Sequence, residues 1–317
     1  MFYPLFLTPF FKECVWGGDN LKRILNKNIK SKTTGESFEI SCYKDYLCKI
    51  RNGVFKDIYL KSLVDIYPEE ILGKNIDSDF FPIIVKFLDA NDRLSIQVHP
   101  NNRYAYSKYK SYGKNELWYV AYAGENSSIV LGLKDGTTKN DIENAISNGS
   151  LYNHLNIERV SVGDCIYIPA GTVHALLENI IVLEVQQSSD ITYRLYDWDR
   201  LENGVSRELH IEDALNVIDL NSKGKIIKHN DYITHDYFNF IDTNDFTVDY
   251  INLNGAFLDH PCYRSFQVYT CTNGSGYIIY NGASQPINTG DTFLIPASLK
   301  EYEIRGEMTL IKVYMKQ

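Results

Sequence analysis

The sequence predicts a mainly-β protein, two β-barrel-like units with a few short helices and a small helical connector. Three observations carry this expectation. Short runs rich in β-branched and aromatic residues, FPIIVKFL (81–88), LSIQVH (94–99), LWYVAYA (117–123) and SIVLGL (128–133), are punctuated by Gly, Asn and Asp as sheet turns require. The segment Gly163-Asp164-Cys165-Ile166-Tyr167-Ile168-Pro169-Ala170 recurs as Gly290-Asp291-Thr292-Phe293-Leu294-Ile295-Pro296-Ala297, each copy a turn, an alternating strand and a Pro-led stop. Between them, residues 206–218 place Leu209, Ile211, Ala214, Leu215 and Ile218 at roughly helical spacing, the best candidate connector. The expected division is 1–205 for the first unit, 206–228 for the connector and 229–317 for the second.

Taken in order, the opening MFYPLFLTPFFKE is apolar but has no basic leader and is interrupted by Pro4 and Pro9, so it reads as a first packed segment. Asp19-Asn20 can cap a turn carrying Leu21, Ile24 and Leu25, and Leu63 to Leu72 has helical spacing broken by Pro68. Thr138 with Asp141, ahead of Ile142, Ala145 and Ile146, has the grammar of a capped helix. Strands return over 157–187, and 229–317 carries no long helix signal. Upstream of each GDxxxIPA copy, WYVAYAGENSSIVLGL and VYTCTNGSGYIIYNG both read as strand, Gly-containing turn, strand.

Composition bounds the function without naming it. With 44% hydrophobic residues in 317, the chain can bury a substantial core, and 24 Tyr with 15 Phe lean towards β-structure. A formal charge of −8 argues against a nucleic-acid partner. It leaves room for an anionic small molecule, because a few local cations make a positive pocket on an acidic protein. The six cysteines, at 14, 42, 48, 165, 262 and 271, include no CxxC pair and read as reduced. No apolar run is long enough to span a bilayer, so the expected compartment is cytoplasm, with no membrane partner.

A small set of residues carries chemistry. Gln97 and His99 share one face of a strand, while Ile96 and Val98 point into apolar packing. Taken alone, that pair reads as the polar positions of a partly exposed strand. Glu116 shares its strand face with Trp118 and Val120, so it is either a solvated strand end or an inward acid that needs a partner, such as a metal. GDCIYIPAGTVHAL (163–176) is the strongest local signal: Pro169 ends a strand, Gly171 permits a tight reversal and His174 begins the next strand. Its spacing, G-x5-P-x-G-x2-H, resembles the second motif of the cupin superfamily, in which the His is a metal ligand inside a small jelly-roll barrel. Together, two imidazoles, a carboxylate and an amide oxygen form a mixed N/O set suited to a divalent ion such as Zn²⁺. The second repeat is an internal control. Glu301 stands where His174 stands in the first, no Q-x-H strand precedes it, and the second unit is expected to be metal-free.

Longer stretches extend the resemblance. LSIQVHPN followed by KNE, Trp16-Gly17-Gly18, GESFEIS (35–41), FPIIVK (81–86), IPAGTVHAL and the Arg194 segment are similar to blocks of the type I mannose-6-phosphate isomerase family, over nearly the whole chain. After Arg194 the chain reads LYDWDR, not the Gly- and Lys-containing run of longer eukaryotic members, so it resembles the short bacterial branch. The resemblance implies one Zn²⁺ per chain on Gln97, His99, Glu116 and His174. It implies Arg194 and Lys114 as catalytic residues, with Lys86 and Ser95 at the substrate. The activity implied is interconversion of mannose 6-phosphate and fructose 6-phosphate through a cis-enediol, in a monomer or weak homodimer. Arg194 would be a fixed cation for the enediolate or the phosphate. Without the resemblance, Arg194 reads as an arginine paired with Asp197 or Asp199 and Lys114 as a solvated lysine. Two rivals stand beside the isomerase, a non-catalytic sugar-binding cupin and an iron-dependent cupin oxygenase.

Overall fold

Alternation with period two decides which side chains face each other, and it does so in two sheets that enclose the candidate site. The computed structural model describes residues 2–74, 76, 80–202, 204–261 and 263–316. A seven-stranded antiparallel sheet runs in the order Lys225–Ile227, Cys165–Ile168, Glu116–Ala123, Ile180–Gln187, Ile83–Ala90, Thr34–Ile40, Phe10–Gly18. A five-stranded sheet runs Leu155–Arg159, Ser128–Leu133, His174–Leu176, Ile96–Val98, Tyr193–Tyr196. Between them lies one apolar cluster. Leu88, Trp118, Val120, Ile168 and Val182 from the larger sheet meet Ile129, Leu131 and Leu176 from the smaller.

Each sheet buries its second face elsewhere, which is why strands read as nearly continuous apolar runs. Behind the smaller sheet, Ile96, Val98, Val130, Ala175 and Leu195 pack on two helices through Ile142, Ala145, Ala214, Leu215 and Ile218. The first of these helices, Lys139–Ser147, begins at Thr138, whose hydroxyl and the Asp141 carboxylate form a reciprocal capping box. The second, Ile211–Val217, is the core of the expected connector and is packed against the first unit's sheet. Behind the larger sheet, Val85, Phe87, Leu117, Tyr119, Leu183 and Val185 join Tyr232, Phe240, Phe246, Val268 and Ile311 from the C-terminal part in one core.

The C-terminal part supplies six strands of an eight-stranded sheet, which Leu5–Thr8, paired with Thr292–Ile295, and Lys49–Ile50, paired with Leu5–Thr8, complete. Both GDxxxIPA copies fold alike. Gly163 and Gly290 turn at φ of +89° and +88°, where a Cβ would be strained, and lead into Cys165–Ile168 and Thr292–Ile295. The upstream echo differs from expectation. VYTCTNGSGYIIY lies within one continuous strand, Gln267–Tyr280, in which Gly274 and Gly276 pass within a Cβ's reach of the backbone at Glu307 and Arg305. These glycines mark an irregularity and a close approach to Tyr302–Tyr314 instead of a turn. Helix Asn102–Tyr109, between the Gln-x-His strand and Glu116, carried no sequence signal we read; the Asn101 side chain caps it. Cys14, Cys42, Cys48, Cys165 and Cys271 are free thiols, and Cys262 lies outside the described residues. Among the described residues no helix is long and apolar enough to cross a membrane.

Candidate metal centre and active-site cleft

Strand register brings the predicted residues together. His174 lies directly opposite Gln97, and Gln97 directly opposite Arg194, so the three stand in a row across the smaller sheet. On the facing sheet Lys86 is opposite Glu184, and Gln186 is opposite Glu116. Gln-x-His behaves as the alternation requires: Ile96 and Val98 are fully buried on the helix side, and Gln97 and His99 turn to the site.

His99, Glu116 and His174 are buried, and their ligand atoms all lie within 4.8 Å of one another. His99 Nε2 is 3.3 Å from Glu116 Oε1, and His174 Nε2 is 3.2 Å from Oε2. The opposite ring nitrogens are committed. His99 Nδ1 is 2.8 Å from the Ile191 carbonyl oxygen and His174 Nδ1 is 2.9 Å from that of Thr172. A carbonyl can only accept, so each Nδ1 carries a hydrogen, and each ring turns its Nε2 towards the carboxylate. Burial, then the charge of Lys114, pushes the His99 pKa down to about 3 against the pull of Glu116, so this ring is neutral. Burial opposes ionisation of Glu116, but Lys114 and the two imidazoles outweigh it and hold its carboxyl well below the usual range.

The result is two ring nitrogens and a carboxylate converging on one point. Both Glu116 oxygens are buried without a directed hydrogen bond among the described residues. Among the described residues the one cation in contact is Lys114, whose ammonium meets Glu116 Oε1 and lies 3.3 Å from His99 Nε2. Gln97 closes the group, its amide 3.4 Å from His174 Nε2 and its other end 3.4 Å from the Ser95 hydroxyl. A buried set of two imidazole nitrogens, a carboxylate and an amide fits a divalent cation: it lacks a positive charge and has the donor atoms to bind one.

Above this floor opens a cleft of about 310 Å³ that Lys86, Ser95, Gln97, Lys114 and Arg194 line; His99, Glu116 and His174 lie beneath it. Lys86 is clasped by Glu36 at 2.9 Å and Glu184 at 3.1 Å, and these carboxylates overcome burial to raise its pKa. Glu36 also holds Lys12 at 2.7 Å. Burial would raise the Glu36 pKa, but Lys86 and Lys12 bring it down to about 2. Arg194 forms no ion pair with Asp197, which is taken by Arg200 and Arg207; its Nη1 donates to the Glu208 carbonyl at 2.7 Å and its Nε is buried without a hydrogen-bond partner among the described residues.

Sequence reasoning missed Glu36, Glu184, Gln186, Asp190, Lys12 and Arg207, all of which line the cleft. Glu184 was within reach. It interrupts the apolar run IIVLEV, and the argument applied to Glu116, that an inward acid needs a partner, applies equally. Lys12 lies within the strand Phe10–Gly18 and Asp190 and Arg207 lie in loops, and no pattern marks any of them.

A sheet pair enclosing His-Glu-His beneath a charged cleft defines a cupin-type enzyme with a metal-binding triad. The comparisons agree on which. The phosphomannose isomerase type I catalytic domain matches residues 5–128, and the mannose-6-phosphate isomerase cupin domain matches 236–315. The mannose-6-phosphate isomerase of Streptococcus mutans is 33% identical, with 97% of each chain covered. The crystal structure of the Bacillus subtilis mannose 6-phosphate isomerase superposes with a TM-score of 0.89 at 33% identity, covering 98% of this chain and 99% of that one. A mannose 6-phosphate isomerase bound with zinc and yttrium shares the fold at 15% identity, with a TM-score of 0.77, covering 99% of this chain and 100% of that one. The chain belongs to the type I mannose-6-phosphate isomerase family.

Proposed function

We propose that this chain interconverts mannose 6-phosphate and fructose 6-phosphate through a cis-enediol, with one Zn²⁺ held by His99, Glu116, His174 and Gln97. The observation that carries the reading is the convergence of Nε2, Nε2 and carboxylate oxygens within 4.8 Å of one another in a buried site. The zinc in the structural relative accords with it. Turning the Gln97 amide end for end would point its oxygen into the same centre, and Ser95 would then meet the amide nitrogen.

When bound, Zn²⁺ supplies positive charge as a Lewis acid to the oxygens of the enediolate. The chain's own groups do the rest. A proton leaves one of the two carbons and returns to the other, so the reaction needs held charges and no redox partner. Lys114 stands against Glu116 and His99, where it offsets negative charge on the reacting oxygens. Arg194 Nε and Gln186 Oε1, both buried without hydrogen-bond partners among the described residues, are a donor and an acceptor available to sugar oxygens and hydroxyls. The charge of Lys86 is already balanced by Glu36 and Glu184, so it sets the cleft wall and the placement of those acids. We also read the two halves as jelly-roll cupin units, 1–205 with the metal and 229–317 without it, joined through 206–228.

The test is a coupled assay for fructose 6-phosphate formed from mannose 6-phosphate, before and after chelation. Activity lost on chelation and restored by zinc is expected. A zinc-loaded protein that binds the sugar phosphate but does not turn it over would replace the isomerase reading with a sugar-binding one.

A further inference from the structure

The catalytic cleft shares a wall with a second, larger cavity. After the strand Ile180–Gln187, Ser189, Asp190 and Thr192 line the cleft, while Ser188, Asp190 and Ile191 line a cavity of about 680 Å³. Tyr43 belongs to both. The other walls follow from local structure. In the helix Leu60–Ile66, Lys61, Val64 and Asp65 fall at i, i+3 and i+4 and present one face to the cavity. The helix Asn102–Tyr109 ends in a left-handed residue, Lys110 at φ +53°, and Tyr109 to Tyr112 line a further side. Cys42 and Lys44 flank Tyr43 on the remaining one.

These walls combine buried apolar groups with exposed cations. Cys42, Val64 and Phe81 are buried, the rings of Tyr43, Tyr109 and Tyr112 stand around them, and Lys44, Lys61 and Lys110 are exposed. Against three ammonium groups stand two carboxylates, Asp65 on Lys61 at 2.7 Å and Asp190 on Lys44 at 2.9 Å. Lys110 lies over the Tyr106 ring at 4.7 Å and has no ion pair among the described residues. A cavity of this size and lining is of the kind that small molecules fill. The shared wall is loosely held. Lys44 and Asp190 are 59% and 40% exposed, and an exposed pair of this kind is weak enough to exchange with a dissolved ion. Tyr43 also donates to Asp190, at 2.8 Å. The next residue, Ile191, supplies the carbonyl that orients His99, so the wall bears on the metal-type centre as well.

We propose that this cavity is a second ligand site, for a small molecule with an aromatic body and one anionic group, and that its occupation weakens sugar-phosphate binding in the cleft. The aromatic body packs on Val64, Phe81 and the tyrosine rings, and the anionic group takes Lys44 and Lys110. Asp190 is then left with Tyr43 alone, and its uncompensated charge faces a dianionic substrate across the cleft. Each ligand therefore weakens the other, by the same factor in both directions. The site stands on the cavity by itself; the coupling rests on the isomerase reading.

The probe is 8-anilinonaphthalene-1-sulfonate, an aromatic sulfonate whose fluorescence rises on binding, titrated into the zinc-loaded protein. Parent enzyme should show one saturable site. Ser111→Trp, which fills the cavity from outside the cleft, should weaken it by at least about tenfold, and Lys61→Gln by about two- to fivefold. In steady-state kinetics, saturating probe should raise the KM for mannose 6-phosphate about threefold with kcat little changed, and the rise should level off. A probe competing inside the cleft would instead raise KM without limit. No binding by the parent, or equal binding by a Ser111→Trp variant that melts cooperatively, overturns the site. A KM that climbs without limit, stays unchanged, or responds equally in Ser111→Trp overturns the coupling. If Ser111→Trp does not fold, the exposed Lys61→Glu replaces it, with binding weakened at least about fivefold and an unchanged affinity overturning the site. If the parent shows no turnover, the isomerase reading fails by itself. The titrations then still decide the site, and an affinity unmoved by mannose 6-phosphate overturns the coupling.

Discussion

The two GDxxxIPA segments place the same register in two different chemistries. In the first, Ile168 pairs with Glu116; in the second, the matching Ile295 pairs with Gln267. Gln267 thus occupies the place of Glu116, and Tyr269 that of Trp118. Around Glu116 two imidazole nitrogens converge with its carboxylate on one point, with Lys114 as the cation in contact, and the donor set suits a divalent ion. Around Gln267 donors and acceptors alternate. Its Nε2 donates to Asp259 at 2.9 Å, its Oε1 accepts from the Tyr302 hydroxyl, and the Tyr269 hydroxyl lies 2.6 Å from that of Tyr302. Lys312 adds a charge-assisted bond to Asp259 at 2.7 Å. At the position of His174 stands Glu301, 68% exposed and turned away from this network. The lesson is that a metal site differs from a structural polar core by its balance of hydrogens, not by its count of polar residues.

Breaking the first half should have the largest effect. His174→Ala is expected to lose zinc and lower kcat/KM by at least about 10³-fold, read by metal analysis alongside the coupled assay. A fully active, metal-free variant would end the metal-centre reading. Next in size is the acid response of the cleft wall. Because the folded Glu36 pKa is depressed to about 2, its contribution is present above the ordinary carboxylate pKa and is lost as pH falls from about 4.5 towards 2. The span corresponds to about 3 kcal/mol, and Glu36→Gln should flatten the stability–pH curve in that window; an unchanged slope would contradict the pairing with Lys86 and Lys12.

Making the second half resemble the first should cost stability and give no site. Gln267→Glu buries a carboxylate beside Asp259 and is expected to destabilise by about 2 kcal/mol in denaturant titration, without a second zinc. Smallest of all, Glu301→His restores the missing imidazole by position on an exposed turn. It should shift stability by no more than about 0.5 kcal/mol and leave metal content at one per chain. Uptake of a second ion by either variant would show that the halves differ less than their networks imply.

Much of this contrast was legible in the sequence, and the reason is periodicity. Gln97, Glu116 and Trp118 sit on strands where one residue in two faces inward, and His99 continues that alternation one residue past Ile96–Val98, so their shared direction follows from spacing alone. The GDxxxIPA repeat exposed the substitution of Glu301 for His174 without coordinates. What stayed hidden depends on distant pairing. That Gln267 replaces Glu116 follows only from the register of Thr292–Ile295 with Gln267–Tyr280. Arg207 reaches the cleft because a left-handed turn at Trp198–Asp199 folds the chain back, and no local pattern marks two non-glycine residues for that conformation. The pairing of the first strand, Leu5–Thr8, with the C-terminal sheet is likewise a long-range choice that an apolar opening segment does not disclose.

The most direct test of the difference between the halves is an anomalous-scattering map at the zinc edge from crystals of the zinc-loaded protein. One peak per chain, surrounded by His99 Nε2, His174 Nε2 and the Glu116 carboxylate, is the expected result. A peak within the Gln267–Tyr302 network, or none at Glu116, would contradict it.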